Sequence, residues 1–285
     1  MSEPVVLAVD AGGSSIKSAL VEANSRIVGG VSLDAIESQA SADQILNILA
    51  AIIKDYLQNF RGVHRIAFAF PGPFDYEQGV CLIQNQDKYD ALYGLDLSAS
   101  LKEILGLPNL EIRYRNDAEA AILGEALYGA GVPYTRLIGI TLGTGLGSAF
   151  IAERNLITEG DSVPPHGWLY ACMFENQRAD DVFSTRGLLA RLRERGIHAV
   201  DVASAISQAD ENALAETCAS FGADLGTFLK PFVSNFRAEA VLITGGIAET
   251  WDYFAPSLGP SLSVPALKGT LGKSAALLGA ATLYF

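Results

Sequence analysis

LEIRYRNDAEAAILGEALYGAG, residues 110–131, predicts a strand that passes directly into a helix. Apolar and charged residues alternate over 110–115, which is typical of a half-buried strand. Asn116 and Asp117 follow, and both are residue types that cap helices, so we expect a helix over 118–128. Ligands of open α/β sheets bind at the carboxyl ends of strands. Asp117 is therefore either a helix cap or a functional acid.

Composition sets the class of protein. The chain has 285 residues, 49% hydrophobic and 18% charged, which excludes a disordered chain and allows two domains. The net charge is −12, and no basic stripe is present to neutralise phosphates, so we expect no nucleic-acid partner. A small anionic ligand remains compatible with this charge, because backbone amides bind anions locally.

Cysteine usage and hydropathy predict a cytoplasmic protein. Cys81, Cys172 and Cys218 are widely spaced and match neither a disulfide framework nor a zinc motif, which favours a reducing compartment. The first ten residues, MSEPVVLAVD, lack the basic start of a signal peptide. No apolar run is long enough to span a bilayer, so we expect no membrane association.

One pattern occurs twice in the chain. A strand, a glycine-rich turn, a strand, a polar turn and a third strand are predicted over 5–33 and again over 136–158. The turns are Asp10-Ala-Gly-Gly-Ser-Ser and Gly143-Thr-Gly-Leu-Gly147. Glycine turns let backbone N–H groups converge on an anion. The repeat predicts two similar α/β halves, each with an anion-binding loop.

The glycines over 143–148 also match the dinucleotide pattern G-x-G-x-x-[GAS], which would suggest a nicotinamide oxidoreductase. That site requires a helix after the turn, whereas Ser148 and the residues after it predict a strand. A failure to bind NAD would exclude this alternative.

Helical patterns fill much of the remaining chain. We expect helices over 41–60, with a capping box at its start, and over 182–195. A third covers most of 210–236, where Pro231 is expected to bend or break it. A last helix is expected over 274–283.

Five motifs in order resemble the ROK sugar kinases, a family of the hexokinase and actin-like ATPase superfamily. They are Asp10-Ala-Gly-Gly-Ser, Pro71-Gly-Pro, Asn116-Asp-Ala-Glu-Ala-Ala-Ile-Leu-Gly-Glu125, Leu142-Gly-Thr-Gly-Leu-Gly147 and Thr244-Gly-Gly. The resemblance implies two actin-like (ribonuclease H-like) α/β halves with a central cleft, and a homodimer. It also implies ATP and magnesium as cofactors and a hexose substrate. We expect a first domain at 1–115 plus 274–285 and a second, ATP-binding domain at 116–273.

The chain departs from the family at its zinc and sugar motifs. The family's Glu-x-Gly-His has Val163 in place of the glutamate before His166, and the zinc-binding cysteines are absent, so no structural zinc is expected. A later sugar-binding glutamate falls on Asp180 if Ser184 is the family's serine. No helix-turn-helix precedes Val5, unlike in a repressor.

The resemblance implies a role for each candidate residue. Asp117 would be the general base, and Asp10 would hold magnesium directly or through water. The sugar would be bound by Asn116, Asn85, His166 and Asp180. The phosphates of ATP would be bound by Asp10, Gly12, Gly13, Ser14, Ser15, Lys17, Gly143, Thr144 and Gly145, and adenosine would lie against Gly245 and Gly246.

Each candidate also has a purely structural interpretation. Asn116 or Asp117 would cap the helix, and the loops would be ordinary hairpin turns. Lys17, His166 and Asp180 would be solvated or loop residues, and Asn85 a turn former. Gly245 and Gly246 would form a plain strand-to-helix turn.

The resemblance therefore implies a glucokinase-like enzyme that transfers phosphate from ATP to a hexose hydroxyl. Two alternatives keep the scaffold and change a substrate: a polyphosphate-dependent glucokinase and an N-acetyl-amino-sugar kinase. A third alternative is a non-catalytic sugar-sensing regulator. A donor and sugar panel separates the first two, and calorimetry of sugar and nucleotide binding tests the third.

Overall fold

The computed structural model describes residues 5–60, 62–208 and 210–285, and it confirms an α/β fold. Its principal strands are β1 Val5–Ala11, β2 Ser15–Glu22, β3 Ile27–Ala35, β4 Arg65–Phe70, β5 Glu111–Asn116, β6 Arg136–Leu142, β7 Leu146–Ala152, β8 Asn155–Leu156, β9 Ala240–Thr244 and β10 Ala266–Lys268. Its helices are α1 Ala42–Asn59, α2 Leu97–Leu105, α3 Asp117–Tyr128, α4 Ala179–Val182, α5 Thr185–Glu194, α6 Val202–Gln208, α7 Glu211–Phe236, α8 Trp251–Leu258 and α9 Ala275–Ala281.

Two five-stranded sheets share one topology. In the first the strand order is β3-β2-β1-β4-β5, with β1–β2 and β2–β3 antiparallel and β1–β4 and β4–β5 parallel. In the second the order is β8-β7-β6-β9-β10. Here too the first two pairs are antiparallel and the last two are parallel. The internal repeat expected from the glycine turns is therefore present in the topology. Residues 146–152 form a strand, as predicted, where a dinucleotide site would need a helix.

The chain divides into two compact units, each with its own apolar core. The first unit is Met1–Gly124 with Lys273–Phe285, and the second is Glu125–Gly272. The division falls inside α3, whereas the predicted domain boundary followed Arg115. The reason is close packing in the first unit: a Cβ atom on Gly124 would collide with the carbonyl of Ala275, and one on Gly279 with the carbonyl of Ala120. The first half of α3 is thus packed against α9.

Arginines of β5 hold the end of the chain on the first sheet. Arg113 donates to the carbonyl of Leu283 at 2.5 Å, and its guanidinium lies 4.5 Å from the ring centre of Tyr284. Arg115 donates to the carbonyl of Gly279 and to the hydroxyl of Thr282, both at 2.6 Å. Charged donors to helix-end carbonyls are favourable, so the last residues of the chain complete the first unit.

A buried carboxylate joins the two ends of the second unit. Glu125 is fully buried, and its side chain accepts from the backbone N–H of Leu271 at 2.6 Å and of Ala130 at 3.2 Å, and from the Thr270 hydroxyl at 3.4 Å. A buried carboxylate requires such partners, because an unpaired charge is costly away from water. The sequence interpretation gave Glu125 no role.

Two helices differ from the sequence prediction. The helix expected over 182–195 is broken at Phe183-Ser184, which separates α4 from α5. The helix α7 runs unbroken past Pro231, which was expected to bend or break it. Pro231 and Thr227, whose carbonyl loses its usual intrahelical partner, are both exposed residues, so the change lies on the solvent side of the helix. Within the described residues no helix combines the length and apolarity needed to cross a membrane.

The contact between α3 and α9 yields a stability prediction. Gly279→Val should lower the free energy of unfolding by about 2 kcal/mol or more, because the added side chain must displace backbone of α3. Gly259→Ala is the matched control, since a Cβ atom there meets nothing within 4 Å. Thermal and urea unfolding of both variants measure the difference. Equal stability of the two variants would contradict this packing.

Candidate active site

The junction between β5 and α3 is capped by Asn116. Its side-chain oxygen accepts from the backbone N–H groups of Ala118 at 3.1 Å and Glu119 at 3.2 Å. Asp117 accepts from the N–H of Ala118 at 2.9 Å and from its own backbone N–H. Asn116 therefore satisfies the orphan donors of the first helical turn, and most of the acceptor capacity of the Asp117 carboxylate is left for other partners.

Tyr76 fixes the other side of the Asn116 amide. The amide nitrogen of Asn116 donates to the Tyr76 hydroxyl at 3.0 Å, and that hydroxyl donates to the carbonyl of Phe70 at 3.2 Å. Burial raises the pKa of Tyr76 above its usual range, so its hydroxyl remains a donor. Asn116 is thus bonded on both sides, and with the described residues its amide nitrogen makes one hydrogen bond, which leaves its second hydrogen for a ligand. Sequence reasoning missed Tyr76, although it follows the Pro71-Gly-Pro73 bend.

The carboxyl of Asp117 has a perturbed environment. Burial raises the pKa of Asp117 above its usual range, and the nearby Asp10 carboxylate raises it further. The positive charge of Lys88 acts in the opposite direction. A carboxyl that feels both a cation and a second carboxylate, with its pKa raised by burial, is suited to accept a proton. Sequence reasoning did not single out Lys88.

Lys88 lies in a loop with a strained backbone. Asn85, Asp87 and Tyr89 all have left-handed backbones, with φ of 55°, 55° and 58°. Such strain in non-glycine residues persists only where the surroundings enforce it, and it is common at functional sites. The Asp90 carboxylate enforces it here by accepting from the N–H of residue 86 at 3.2 Å and of residue 87 at 3.1 Å. Asn85 is exposed on this loop.

Tyr89 connects that loop to the first glycine turn. Its ring is fully buried, and its hydroxyl donates to the carbonyl of Gly12 at 2.6 Å. Its backbone N–H donates to the carbonyl of Ser38 at 2.7 Å. The first glycine turn is therefore held from outside its own hairpin. A buried tyrosine in a polar loop was not recognisable from the sequence pattern.

The first glycine turn joins β1 to β2. The N–H of Gly12 donates to the carbonyl of Ser15 at 3.0 Å, and a Cβ atom on Gly12 would lie 2.7 Å from that carbonyl, so only glycine fits. Gly13 and Ser14 are exposed at the tip. At its base, the buried Asp10 carboxylate binds the ammonium of Lys17 at 2.6 Å. Lys17 thus neutralises Asp10 in this structure.

The second glycine turn joins β6 to β7, and Asp180 supports it. One carboxylate oxygen of Asp180 accepts from the N–H of Leu146 at 2.7 Å, and the other binds Arg186 at 3.0 Å. The N–H of Thr185 donates to the carbonyl of Gly143 at 2.7 Å. The structure therefore places Asp180, a predicted sugar ligand, against the second glycine turn, which was predicted to bind phosphate. No sequence pattern indicated this contact.

His166 and the paired glycines occupy other places in the second unit. His166 is exposed and has φ of 58°, and its ring centre lies 4.6 Å from that of Trp168, with the two rings tilted by 35°. It lines an open cavity of about 400 Å³ together with residues 158–161 and 163–165. Gly245 has φ of 98°, and a Cβ atom there would collide with Leu142 backbone, so packing alone requires glycine. A Cβ atom on Gly246 meets nothing within 4 Å.

Carboxylates are the side chains through which this site would hold magnesium. Among the described residues, no group of three or more His, Cys, Asp or Glu side chains forms a metal cage. Magnesium needs no such cage, because it is usually held by one or two carboxylates, substrate phosphates and water. The Asp10 carboxylate lies beside the first glycine turn and fits that pattern. It already binds the ammonium of Lys17, so magnesium and Lys17 would share this carboxylate.

The duplicated sheet, with a glycine-rich hairpin in each copy, is the fold of two similar actin-like α/β halves that the resemblance implied. The sequence model of the ROK family matches residues 6–284, and the chain belongs to the ROK family.

The relatives of this chain carry names of different functions. Glucokinase from Thermotoga maritima is 25% identical over 158 residues, which cover 55% of this chain and 48% of that protein. The match thus spans about half the length of that relative. The xylose repressor of Bacillus subtilis is 22% identical, with 88% of this chain and 68% of the repressor covered. A ROK glucokinase from Streptomyces griseus, solved with glucose and AMPPNP, aligns with a TM-score of 0.76 at 21% identity over 98% of both chains, which shows the shared fold.

The support of the second glycine turn by Asp180 is testable by hydrogen exchange. Asp180→Ala should accelerate exchange of the Leu146 amide, because its acceptor at 2.7 Å is lost. Asp180→Asn is the matched control: its side-chain oxygen still accepts that bond, so exchange should change little. Amide-resolved exchange by NMR measures both. Identical protection of Leu146 in wild type and Asp180→Ala would contradict the assignment.

Proposed function

We propose that this protein transfers the γ-phosphoryl group of ATP to a hydroxyl group of a hexose, with Asp117 as the general base. The observation that carries this proposal is the junction in the first unit. Asn116 takes over the capping of α3, so Asp117 keeps acceptor capacity in an environment that raises its pKa. Membership of the ROK family supports the reaction class, since named sugar kinases are among the relatives.

The base removes the hydroxyl proton as the sugar oxygen attacks phosphorus. The oxygen–phosphorus bond forms, the bond from phosphorus to the bridging oxygen of the donor breaks, and the leaving nucleoside diphosphate takes that electron pair. The proton passes to a carboxylate oxygen of Asp117. Base catalysis of this kind contributes on the order of 10²–10⁴-fold. Burial raises the pKa of Asp117, which increases its basicity toward the hydroxyl.

Each glycine turn is proposed to bind phosphate oxygens of ATP through backbone N–H groups. The exposed tip of the first turn, at Gly13 and Ser14, supports this, as does the exposure of Thr144 and Gly145 in the second. Magnesium would be held by Asp10 and the donor phosphates, and it would supply charge neutralisation during transfer. Gly246, whose Cα faces open space, is the residue of the glycine pair that supports adenosine binding.

The sugar is proposed to lie at Asp117, with the remaining amide hydrogen of Asn116 as a donor to it. Asn85 and His166 remain proposed sugar ligands on the strength of their exposed positions. Asp180 is proposed to act through the second glycine turn, because both of its carboxylate oxygens are already bonded within the second unit. A cytoplasmic homodimer remains the proposed state of the protein.

A panel of hexoses and N-acetyl-amino sugars, assayed by coupled ADP release, tests the proposal and names the acceptor. ADP release that depends on one sugar supports it. Sugar binding by calorimetry without any nucleotide effect, and without turnover, would replace it with a sugar-sensing role. The repressor among the relatives makes that outcome a specific alternative.

The role of Asp117 predicts a selective loss. Asp117→Asn should reduce kcat by about 10²–10⁴-fold while sugar affinity by calorimetry stays within a few-fold, since the amide keeps the shape and loses the basicity. Asp43→Asn, on the exposed surface of α1, is the control and should retain full activity. Substantial turnover by Asp117→Asn would refute the base assignment.

The charge of Lys88 predicts a shift in the pH profile. Activity falls on the acid side as Asp117 is protonated, and Lys88 lowers the pKa of Asp117. Lys88→Met removes that charge, so the pKa of Asp117 rises and the acid limb of kcat/KM moves to higher pH. Lys54→Met, on the exposed face of α1, should leave the limb in place. An unmoved limb in Lys88→Met would show that Lys88 does not act on the base.

A further inference from the structure

One lysine of the first unit is partly withdrawn from water without a counter-ion. Lys88 is half-buried, and with the described residues its ammonium group forms neither an ion pair nor a hydrogen bond. Lys17, in contrast, binds the carboxylate of Asp10 at 2.6 Å. A cation that loses water and gains no partner is costly. The ammonium of Lys88 is therefore suited to a ligand that supplies the opposite charge.

The backbone on both sides of Lys88 is fastened to a neighbouring segment. The carbonyl of Asp87 accepts from the side chain of Gln39 at 2.9 Å, and the N–H of Tyr89 donates to the carbonyl of Ser38 at 2.7 Å. Asp87 and Tyr89 both have left-handed backbones, with φ of 55° and 58°. Such strain persists only where the surroundings enforce it. The backbone of Lys88 is thus fixed by bonded residues before and after it.

This loop lies beside the groups to which the chemistry is assigned. The hydroxyl of Tyr89 donates to the carbonyl of Gly12, in the first glycine turn, at 2.6 Å. The charge of Lys88 acts to lower the pKa of Asp117, so the two side chains are near one another although they form no ion pair. An acceptor whose hydroxyl lies at Asp117 is therefore close to a fixed positive charge.

The free hydrogen-bonding groups beside Asp117 are donors. The second amide hydrogen of Asn116 is one of them, and the ammonium of Lys88 adds three more. A sugar hydroxyl both donates and accepts, whereas a carboxylate only accepts. A group of donors that includes a cation therefore matches a carboxylate better than it matches a hydroxyl.

We propose that the acceptor is a sugar acid, a hexose derivative whose carboxylate binds the ammonium of Lys88 while one of its hydroxyl groups lies at Asp117. This inference rests on the proposed function and specifies its substrate class. A neutral hexose gains only ordinary hydrogen bonds from Lys88, whereas a carboxylate gains a charge-assisted one. The same positive charge offsets the repulsion between the bound carboxylate and Asp117.

A single negative charge fits this place better than a phosphate group does. Lys88 supplies one positive charge, and the carboxylates of Asp10 and Asp117 are close enough to influence one another. A phosphate ester carries a charge of about −1.5 to −2 at neutral pH, so part of its charge would remain unbalanced beside these carboxylates. A carboxylate carries one charge, which Lys88 balances.

The reaction balances as it does for a neutral hexose. The hydroxyl oxygen bonds to the γ-phosphorus of ATP, the bond from that phosphorus to its bridging oxygen breaks, and ADP leaves with the electron pair. The hydroxyl proton passes to Asp117. The carboxylate of the acceptor is unchanged, so Lys88 acts by selecting and orienting the acceptor.

The test compares acidic sugars with their neutral counterparts. ADP release from ATP is measured with glucose, glucuronic acid and gluconic acid, with galactose and galacturonic acid, and with the phosphate ester of glucose at its primary hydroxyl. Wild type should use at least one sugar acid with a kcat/KM about tenfold or more above that of its neutral counterpart, the effect of one charged hydrogen bond. Calorimetry with the same sugars measures affinity independently of turnover.

Variants of Lys88 identify the group that selects the acid. Lys88→Met should lower the ratio of acidic to neutral kcat/KM about tenfold or more, because the charged partner of the carboxylate is lost. Rates are taken on the alkaline plateau, where Asp117 is ionised in every variant. Lys88→Arg should keep most of the ratio, because its positive charge remains. Lys54→Met, on the exposed face of α1, is the matched control and should keep the wild-type ratio.

The outcomes separate this inference from the proposed function. Equal use of acidic and neutral sugars, or a preference for the phosphate ester, overturns the inference and leaves the kinase assignment standing. Equal losses with both kinds of sugar in Lys88→Met also overturn it, because Lys88 would then act on the reacting groups. Binding of a sugar acid that depends on Lys88, without ADP release, supports the ligand class and overturns the proposed transfer. No binding and no turnover with any sugar overturns both.

Discussion

The hydrogen bonds of one amide side chain, Asn116, determine the chemistry available at the candidate site. A helix that starts directly after a strand leaves backbone N–H groups without partners, and the nearest side chain must accept from them. Asn116 does so, and Tyr76 holds its nitrogen in the orientation that this requires. Asp117, one residue later, is thereby relieved of most of the capping. If the two residues exchanged these tasks, the carboxylate would be consumed by the helix.

The same principle appears at both glycine turns, where side chains from outside the hairpin hold the backbone. Tyr89 supports the first turn through the carbonyl of Gly12, and Asp180 supports the second through the N–H of Leu146. Inside each turn one glycine N–H is already bonded, that of Gly12 to Ser15 and that of Gly143 to Gly145, and the outer side chains add to this support. Fixing each turn from outside pre-organises the backbone and lowers the entropic cost of ligand binding. The supporting residues belong to the site although they need not contact a ligand.

Sequence periodicity predicted the fold, but it did not predict the side chains that hold the glycine turns and the Asn116 amide. Alternating strands, glycine turns and the capping box at Ser41 are local patterns, and the repeated pattern revealed the two similar sheets. Tyr76, Lys88 and Tyr89 act across long sequence distances, so no local pattern identifies them. Pro231 shows the converse limit. The helix α7 continues through it, and Pro231 and Thr227, whose carbonyl it frees, are both exposed residues.

The bond between Glu125 and Leu271 has a consequence for biosynthesis. It closes residues 125–272 into a continuous insertion whose ends meet, while the first unit is assembled from both ends of the chain. During translation the inserted unit is complete before the ribosome has synthesised α9. The strands over 5–116 gain the bond of Arg115 to Gly279 and that of Arg113 to Leu283 only after α9 and the residues behind it have been synthesised. A released chain truncated shortly before residue 275 would therefore contain the whole second unit beside a first sheet that lacks α9.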